Sequence, residues 1–160
     1  QAVDGIRDKL VTGVQTCALP IWAEIPVAAY GNGWESGRID LGAVPALFAQ
    51  SRIVLGVAAI GHSRDFVGLK LRDFDAPLSG SCYLTQHNSD LESLYRIGGI
   101  DAEIVTYHSV KDCVAQAREL LANPARLQAI GDAGRARAVA DHTWKTRFTR
   151  LFENLGNGSI

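Results

Sequence analysis

The sequence predicts an α/β fold, a Rossmann-like parallel sheet with flanking helices. Three observations lead there. Short apolar runs bounded by turn signals alternate with segments of helical period, the pattern left by parallel strands joined through right-handed helical crossovers. The run Ile53–Ile60 (IVLGVAAI) carries no charge, as a central strand covered on both faces does. Helix-start residues of the Ser and Thr type stand before later helical segments, and Pro124 opens another.

The first 21 residues, Gln1–Ile21, have neither a strand nor a helix period. A disordered tail and a weak signal peptide are two readings of them, the second because Arg7 and Lys9 precede a mildly apolar stretch that Gly13, Gln15 and Thr16 interrupt. The segment more closely resembles the in-frame translation of an indexed sequencing adapter. Val11–Ile21 agree at every position, Gln1–Asp8 at all but Val3, and Lys9 and Leu10 fill the index. On this resemblance residues 1–22 are a non-native tail outside the fold, native sequence starts near Ala23 inside a longer gene, and the lack of Met reflects truncation. A metagenomic fragment of bacterial type fits that expectation.

From Ile25 onward each element has a local reason. Ile25–Ala29 is a short apolar run ending in the turn Tyr30-Gly31-Asn32-Gly33. Leu41–Gln50 places Leu41, Val44, Leu47 and Phe48 on one helical face, with Pro45 near its start. Lys70–Ser79 reads as a helix with Leu71, Phe74 and Leu78 on one side and Gly80 closing it. Cys82–Thr85 is a strand, and Ser89 with Glu92 fits a capping box for a short helix. Glu103–Tyr107 is a further strand. Ser109 caps a helix carrying Val110, Val114, Ala117 and Leu121; Pro124 opens the next, to about Asp141; Thr143 caps the last, striped by Phe148, Leu151, Phe152 and Leu155. One domain is expected over residues 23–155, with 156–160 a frayed tail.

Composition narrows the function. Of 160 residues 47% are apolar and 21% charged, enough apolar surface for a packed core and too little charge for a disordered chain. A net charge of −1 gives no global field for nucleic acid. No apolar run approaches the ~20 residues of a membrane span. Three cysteines without CxxC spacing argue against a disulfide framework or zinc knuckle and fit a reducing, cytoplasmic setting. Cys82 and Cys113 read as small buried hydrophobes.

Open parallel sheets bind ligands at the carboxyl ends of their strands, which points to the loops Tyr30–Trp34, Gly61–Leu69 and Gln86–Ser89. Lys70 and Arg72 open the helix after the second loop, where like charge opposes the helix dipole. Two cations there make sense around a bound anion such as a diphosphate, or they simply point to water. Asp75 suits a ribose diol, or is an ordinary exposed acid. His62 sits in the second loop, and His87, His108 and His142 read as surface or helix-terminus residues. Arg135, Arg137, Arg147 and Arg150 read as a solvated basic face.

The run Gly68–Gln86 (GLKLRDFDAPLSGSCYLTQ) resembles the K-x-R-x-F-E-x-x-x-S-G-x-x-L-T core of the spore-maturation CgeB-like glycosyltransferases, relatives of the family 1 and family 4 GT-B enzymes. Tyr30–Trp34, Ser51–Leu55, Glu103–Tyr107, Leu121–Pro124, Ala133-Gly134 and His142–Arg147 resemble further motifs in the same order. The resemblance implies the incomplete C-terminal half of a GT-B fold, binding a nucleotide-diphosphate sugar as donor substrate, without a metal or other cofactor. It implies that Asp75 holds the donor ribose, Lys70 and Arg72 the diphosphate, and that Ser79, Gly80, Gly31 and Gly33 allow close backbone approach, with His62 near phosphate or sugar. The acid that retaining relatives carry eight residues before Asp75 is absent, since Val67 stands there. The resemblance places acceptor site and catalytic base in a missing N-terminal GT-B domain, leaves no catalytic residue assigned here, and implies an inactive fragment. The rival reading is a non-enzymatic, flavodoxin-like module that binds a protein partner.

Overall fold

A computed structural model describes residues 10–12, 25–32, 34–60 and 66–156. Its centre is a parallel sheet of β1 (Leu10–Thr12), β2 (Val27–Ala29), β3 (Ile53–Leu55), β4 (Cys82–Gln86) and β5 (Val105–Tyr107), in the order β2-β1-β3-β4-β5. The helices are α1 (Val44–Ala49, entered through a 3-10 turn at Leu41–Ala43), α2 (Arg72–Leu78), α3 (Val110–Ala122), α4 (Pro124–Asp141) and α5 (Trp144–Gly156). The α/β parallel architecture is therefore as the sequence predicts.

β1 corrects the sequence reading, which put Leu10–Thr12 in a tail outside the fold. These residues pair with β2 on one side and β3 on the other. Backbone groups on two flanking strand edges need partners, and the β-prone Leu-Val-Thr supplies them. The predicted strand Ile53–Ile60 is also shorter than expected: regular pairing stops at Leu55, and Ala59 instead bridges Val67 in antiparallel sense.

Side chains alternate across the sheet and build a core on each face. Ile53, Leu55, Cys82 and Leu84 pack with Cys113, Ala117, Leu120, Leu127 and Ile130 of α3 and α4. Val54 and Tyr83 point the other way, to Leu47, Phe48, Ala76, Leu91 and Tyr95. Cys82 and Cys113 are buried, and burial pushes the Cys82 thiol up to about 12, so it packs as an apolar group.

The caps follow the local chemistry. The Ser109 hydroxyl accepts from Asp112 N, and Asp112 accepts in return from His108 N. Asn123 caps α4 ahead of Pro124, and Thr143 accepts from Thr146 N. The 3-10 turn Ser89–Ser93 is capped by Asn88 rather than by Ser89, because the Asn88 carboxamide reaches Asp90 N at 3.1 Å.

Candidate functional site

The strand order turns back between β1 and β3, and in open α/β sheets the crevice at such a switch point takes the ligand. Gly31 leaves β2 on this carboxyl edge with φ +127°, closing a loop through Gly31 N to Gly37 O at 2.7 Å. Gly56 leaves β3. Its carbonyl accepts the Tyr107 hydroxyl at 2.8 Å, and any Cβ there would collide with the Tyr83 and Thr85 hydroxyls. Gly33 and His62 lie outside the described residues.

Lys70 and Arg72 enter α2 over a buried acid that the sequence reading did not single out. Asp73 is 2% exposed. Its carboxylate accepts from Lys70 N and from the Tyr83 hydroxyl, each at 2.6 Å, while its carbonyl accepts the Tyr95 hydroxyl at 2.9 Å. Burial raises the Asp73 carboxyl above its ordinary value, opposed by the Tyr83 and Lys70 hydrogen bonds and by the Arg72 and Lys70 charges. Burial and the Asp73 charge together push the Tyr83 phenol well up. The Lys70 backbone donor is thus already taken. α2 is one short helix of seven residues with Asp73 and Asp75 in its first turn, so the argument from an uncompensated dipole falls. What remains for an anion is the pair of side-chain charges.

Asp75 lies near Arg72, and burial raises its carboxyl while Arg72 opposes the shift. It borders a hollow of about 110 Å³ with Phe74, His142, Trp144 and Arg147. Ser79 and Gly80 are not brought to this edge. They end α2 roughly 10 Å below Arg72, at ~1.5 Å rise per residue. The Ser79 hydroxyl donates to Ala76 O at 2.6 Å, and Gly80 takes φ +84°, an ordinary left-handed helix end. Gly131 of α4 packs on the Gly80 carbonyl so closely that no Cβ fits between.

Other residues also depart from expectation. His142 is buried, its Nε2 at 3.1 Å from Leu94 O, and its ring meets Phe74 and Tyr95. Arg137 bonds Leu94 O and pairs with Asp141 and with buried Glu103, Arg150 pairs with Asp141, and Arg147 stands 4.3 Å over the Phe74 ring. Three of the four arginines are therefore engaged, and Arg135 is exposed beside Gly80.

Beyond β4 the chain presents two further groups. The His87 ring lies 4.5 Å from that of His108, tilted by 37°. Among the described residues, His87 Nδ1 and Asn88 Nδ2 are buried with no hydrogen-bond partner. The Thr85 hydroxyl is a third such atom in this stretch. No group of three or more His, Cys, Asp or Glu side chains among the described residues is arranged for a metal, and no described helix is long and apolar enough to cross a membrane.

Comparison with known proteins fits this geometry. No curated protein sequence matches the chain. Sucrose-phosphate synthase from Thermosynechococcus elongatus is similar in structure, with a TM-score of 0.61 and 15% identity. The match covers 94% of this chain and 38% of that one, and at this identity it speaks for the fold, that of one half of a GT-B glycosyltransferase. The model of the glycosyl transferase-like family matches residues 15–153. The chain, with its parallel sheet, its switch-point edge and its Lys70–Asp75 turn, belongs to the glycosyl transferase-like family.

Proposed function

We propose that the chain is the donor-binding half of a glycosyltransferase that moves a sugar from a nucleotide-diphosphate sugar to an acceptor. The observation that carries this reading is the α2 entry, where Lys70 and Arg72 stand over the anchored Asp73 with Asp75 one turn on. In such a transfer the bond between anomeric carbon and phosphate oxygen breaks, and negative charge gathers on the departing diphosphate. Fixed cations stabilise that charge where it develops, so the reading requires no metal. Asp75 would accept from the ribose hydroxyls. Gly31 would let the loop after β2 approach, with Gly33 and His62 as further candidates. The acceptor and the catalytic base belong, on this reading, to an N-terminal GT-B domain, and the chain alone binds donor without turnover. Donor sugars of hexose type and CgeB-like specificity follow from the motif resemblance, and the cysteine usage favours a cytoplasmic setting.

Calorimetric titration of the folded chain with UDP, GDP and their sugars tests the proposal. Binding should appear with one nucleotide and weaken at least tenfold in Lys70→Ala and Arg72→Ala, while Arg135→Ala leaves it unchanged. No heat with any nucleotide overturns it. The flavodoxin-like module remains the second reading, favoured by one observation, the strand order β2-β1-β3-β4-β5, which flavodoxin-like sheets share.

A further inference from the structure

Lys70 is the residue at which a loop hands over to α2. On its near side Gly68 N donates to Ala58 O at 3.0 Å, and Ala59 bridges Val67. On its far side Asp73 N donates to Lys70 O at 3.0 Å, and the Asp73 carboxylate accepts the Lys70 N–H at 2.6 Å. A carboxylate reaching back over three residues is the acid half of a capping box. Here the capping acid is buried. Its other oxygen accepts the Tyr83 hydroxyl from β4, and its carbonyl accepts the Tyr95 hydroxyl. Both tyrosines are buried as well. Burying an acid is unfavourable unless it is well bonded, and an exposed acid could cap the helix equally well. What burial adds is a fixed position: the Lys70 backbone is tied to the core of the sheet.

We propose that Asp73 is a positioning residue of the donor site, fixing through its bond to the Lys70 N–H the backbone from which the Lys70 ammonium reaches a diphosphate. The inference rests on the donor-binding reading above. A lysine is a point charge on a flexible stem, so the place of its backbone decides which phosphate the ammonium serves. With that backbone held in advance, binding orders the side chain alone. Without the anchor, binding must order the entry segment too, at about three- to tenfold in affinity. The hydrogen bond serves the ligand and the charge does not, since a carboxylate under the two cations opposes an incoming anion. Asp73→Asn separates the two. Its amide oxygen can keep the Lys70 N–H, and its amide nitrogen can donate to the Tyr83 oxygen. The Tyr83 proton then turns to the Thr85 hydroxyl beside it, which has no partner among the described residues. Because Asp73 acts through Lys70, its loss matters only while the ammonium is present.

Calorimetric titration of the 160-residue chain with inorganic pyrophosphate tests this, with circular dichroism to confirm that each variant is folded. Asp73→Ala should weaken binding about three- to tenfold. Asp73→Asn should bind within about twofold of the parent, or more tightly. Gly131→Ala, which strains the contact of α4 with the Gly80 carbonyl, should bind as the parent does, so lost stability alone does not imitate the effect. In a Lys70→Ala background the further change Asp73→Ala should cost less than about twofold. Should the alanine variant not fold, Asp73→Glu, which displaces the carboxylate by one methylene, takes its place with the same expected loss. Unchanged affinity in the alanine or glutamate variant overturns the proposal. So does an asparagine variant as weak as alanine, and so do losses at Lys70 and Asp73 that multiply. A parent chain that takes up no pyrophosphate removes the donor-binding reading, and this inference with it.

Discussion

Asp73 offers the sharpest test of how this site is built. Asp73→Ala removes a carboxylate that holds the Lys70 backbone N–H and the Tyr83 hydroxyl, each at 2.6 Å. The Tyr83 hydroxyl is then left buried and the Lys70 N–H partly buried, at ~1–3 kcal/mol for an unsatisfied buried group and less for a wetter one, so a loss of about 2–4 kcal/mol is expected. Tyr83→Phe removes one donor from a carboxylate that stays buried, and about 1–3 kcal/mol is expected there. With Asp73 already alanine, phenylalanine no longer strands a charge, and the double variant should show a coupling of ~1–3 kcal/mol. Urea unfolding followed by circular dichroism reads all four corners of the cycle. The pH dependence has a definite sign. Burial holds the folded carboxyl above its ordinary value of 3.8, so its proton-linked stabilisation is full below that value and is lost as pH rises through the raised folded value. The alanine penalty should therefore shrink between pH 4 and pH 7. A coupling near zero, or a penalty that grows over that interval, refutes the account of Asp73 as a desolvated acid anchored by Tyr83.

Gly56→Ala drives a methyl into the Tyr83 and Thr85 hydroxyls and should cost about 2–4 kcal/mol in thermal unfolding. Gly131→Ala should also destabilise, because the obstruction is the Gly80 carbonyl and a backbone cannot rotate away; a gain approaching the ~1 kcal/mol of helix propensity would show that α4 shifts freely. Arg72→Ala should weaken both inorganic pyrophosphate and a nucleoside diphosphate in calorimetric titration, whereas Asp75→Asn should weaken only the nucleoside diphosphate. Equal losses for both ligands in Asp75→Asn would remove the ribose role.

Features whose cause lies within a few residues were legible in the sequence. Ser109 with Asp112, and Thr143, each cap the helix that follows, and Pro124 opens its own, since a helix start is decided by the next turn of chain; the Asn123 cap ahead of Pro124 was not read from the sequence. The alternating apolar runs likewise carried the parallel sheet. What escaped depends on how distant elements meet. Ser79 and Gly80 stand close to Lys70 in the motif, yet the intervening helix carries them to the other edge of the sheet. Leu10–Thr12 has no period of its own, and its place is set by the strand edges of β2 and β3. His142, at the end of α4, is buried because Phe74, Tyr95 and the Leu94 carbonyl converge there from other elements. The choice between the two acids of α2 is the clearest case. Asp73 and Asp75 differ by two positions, which on an α-helix is a rotation of about 200°, so one must face inward where the other faces out. Sequence shows both acids, and its apolar side of Leu71, Phe74 and Leu78 points to a phase the helix does not adopt, since Asp73, Ala76 and Pro77 are the buried residues and Leu71 is exposed. Tyr83 and Tyr95 fix the observed phase by bonding Asp73, through its carboxylate and its carbonyl. Arg72 then falls about 60° from Asp75, three residues on, and cation and acid share one outward strip. On the proposed donor-binding reading that strip would meet the phosphates first and the ribose diol one turn later, and it exists because Asp73 faces in.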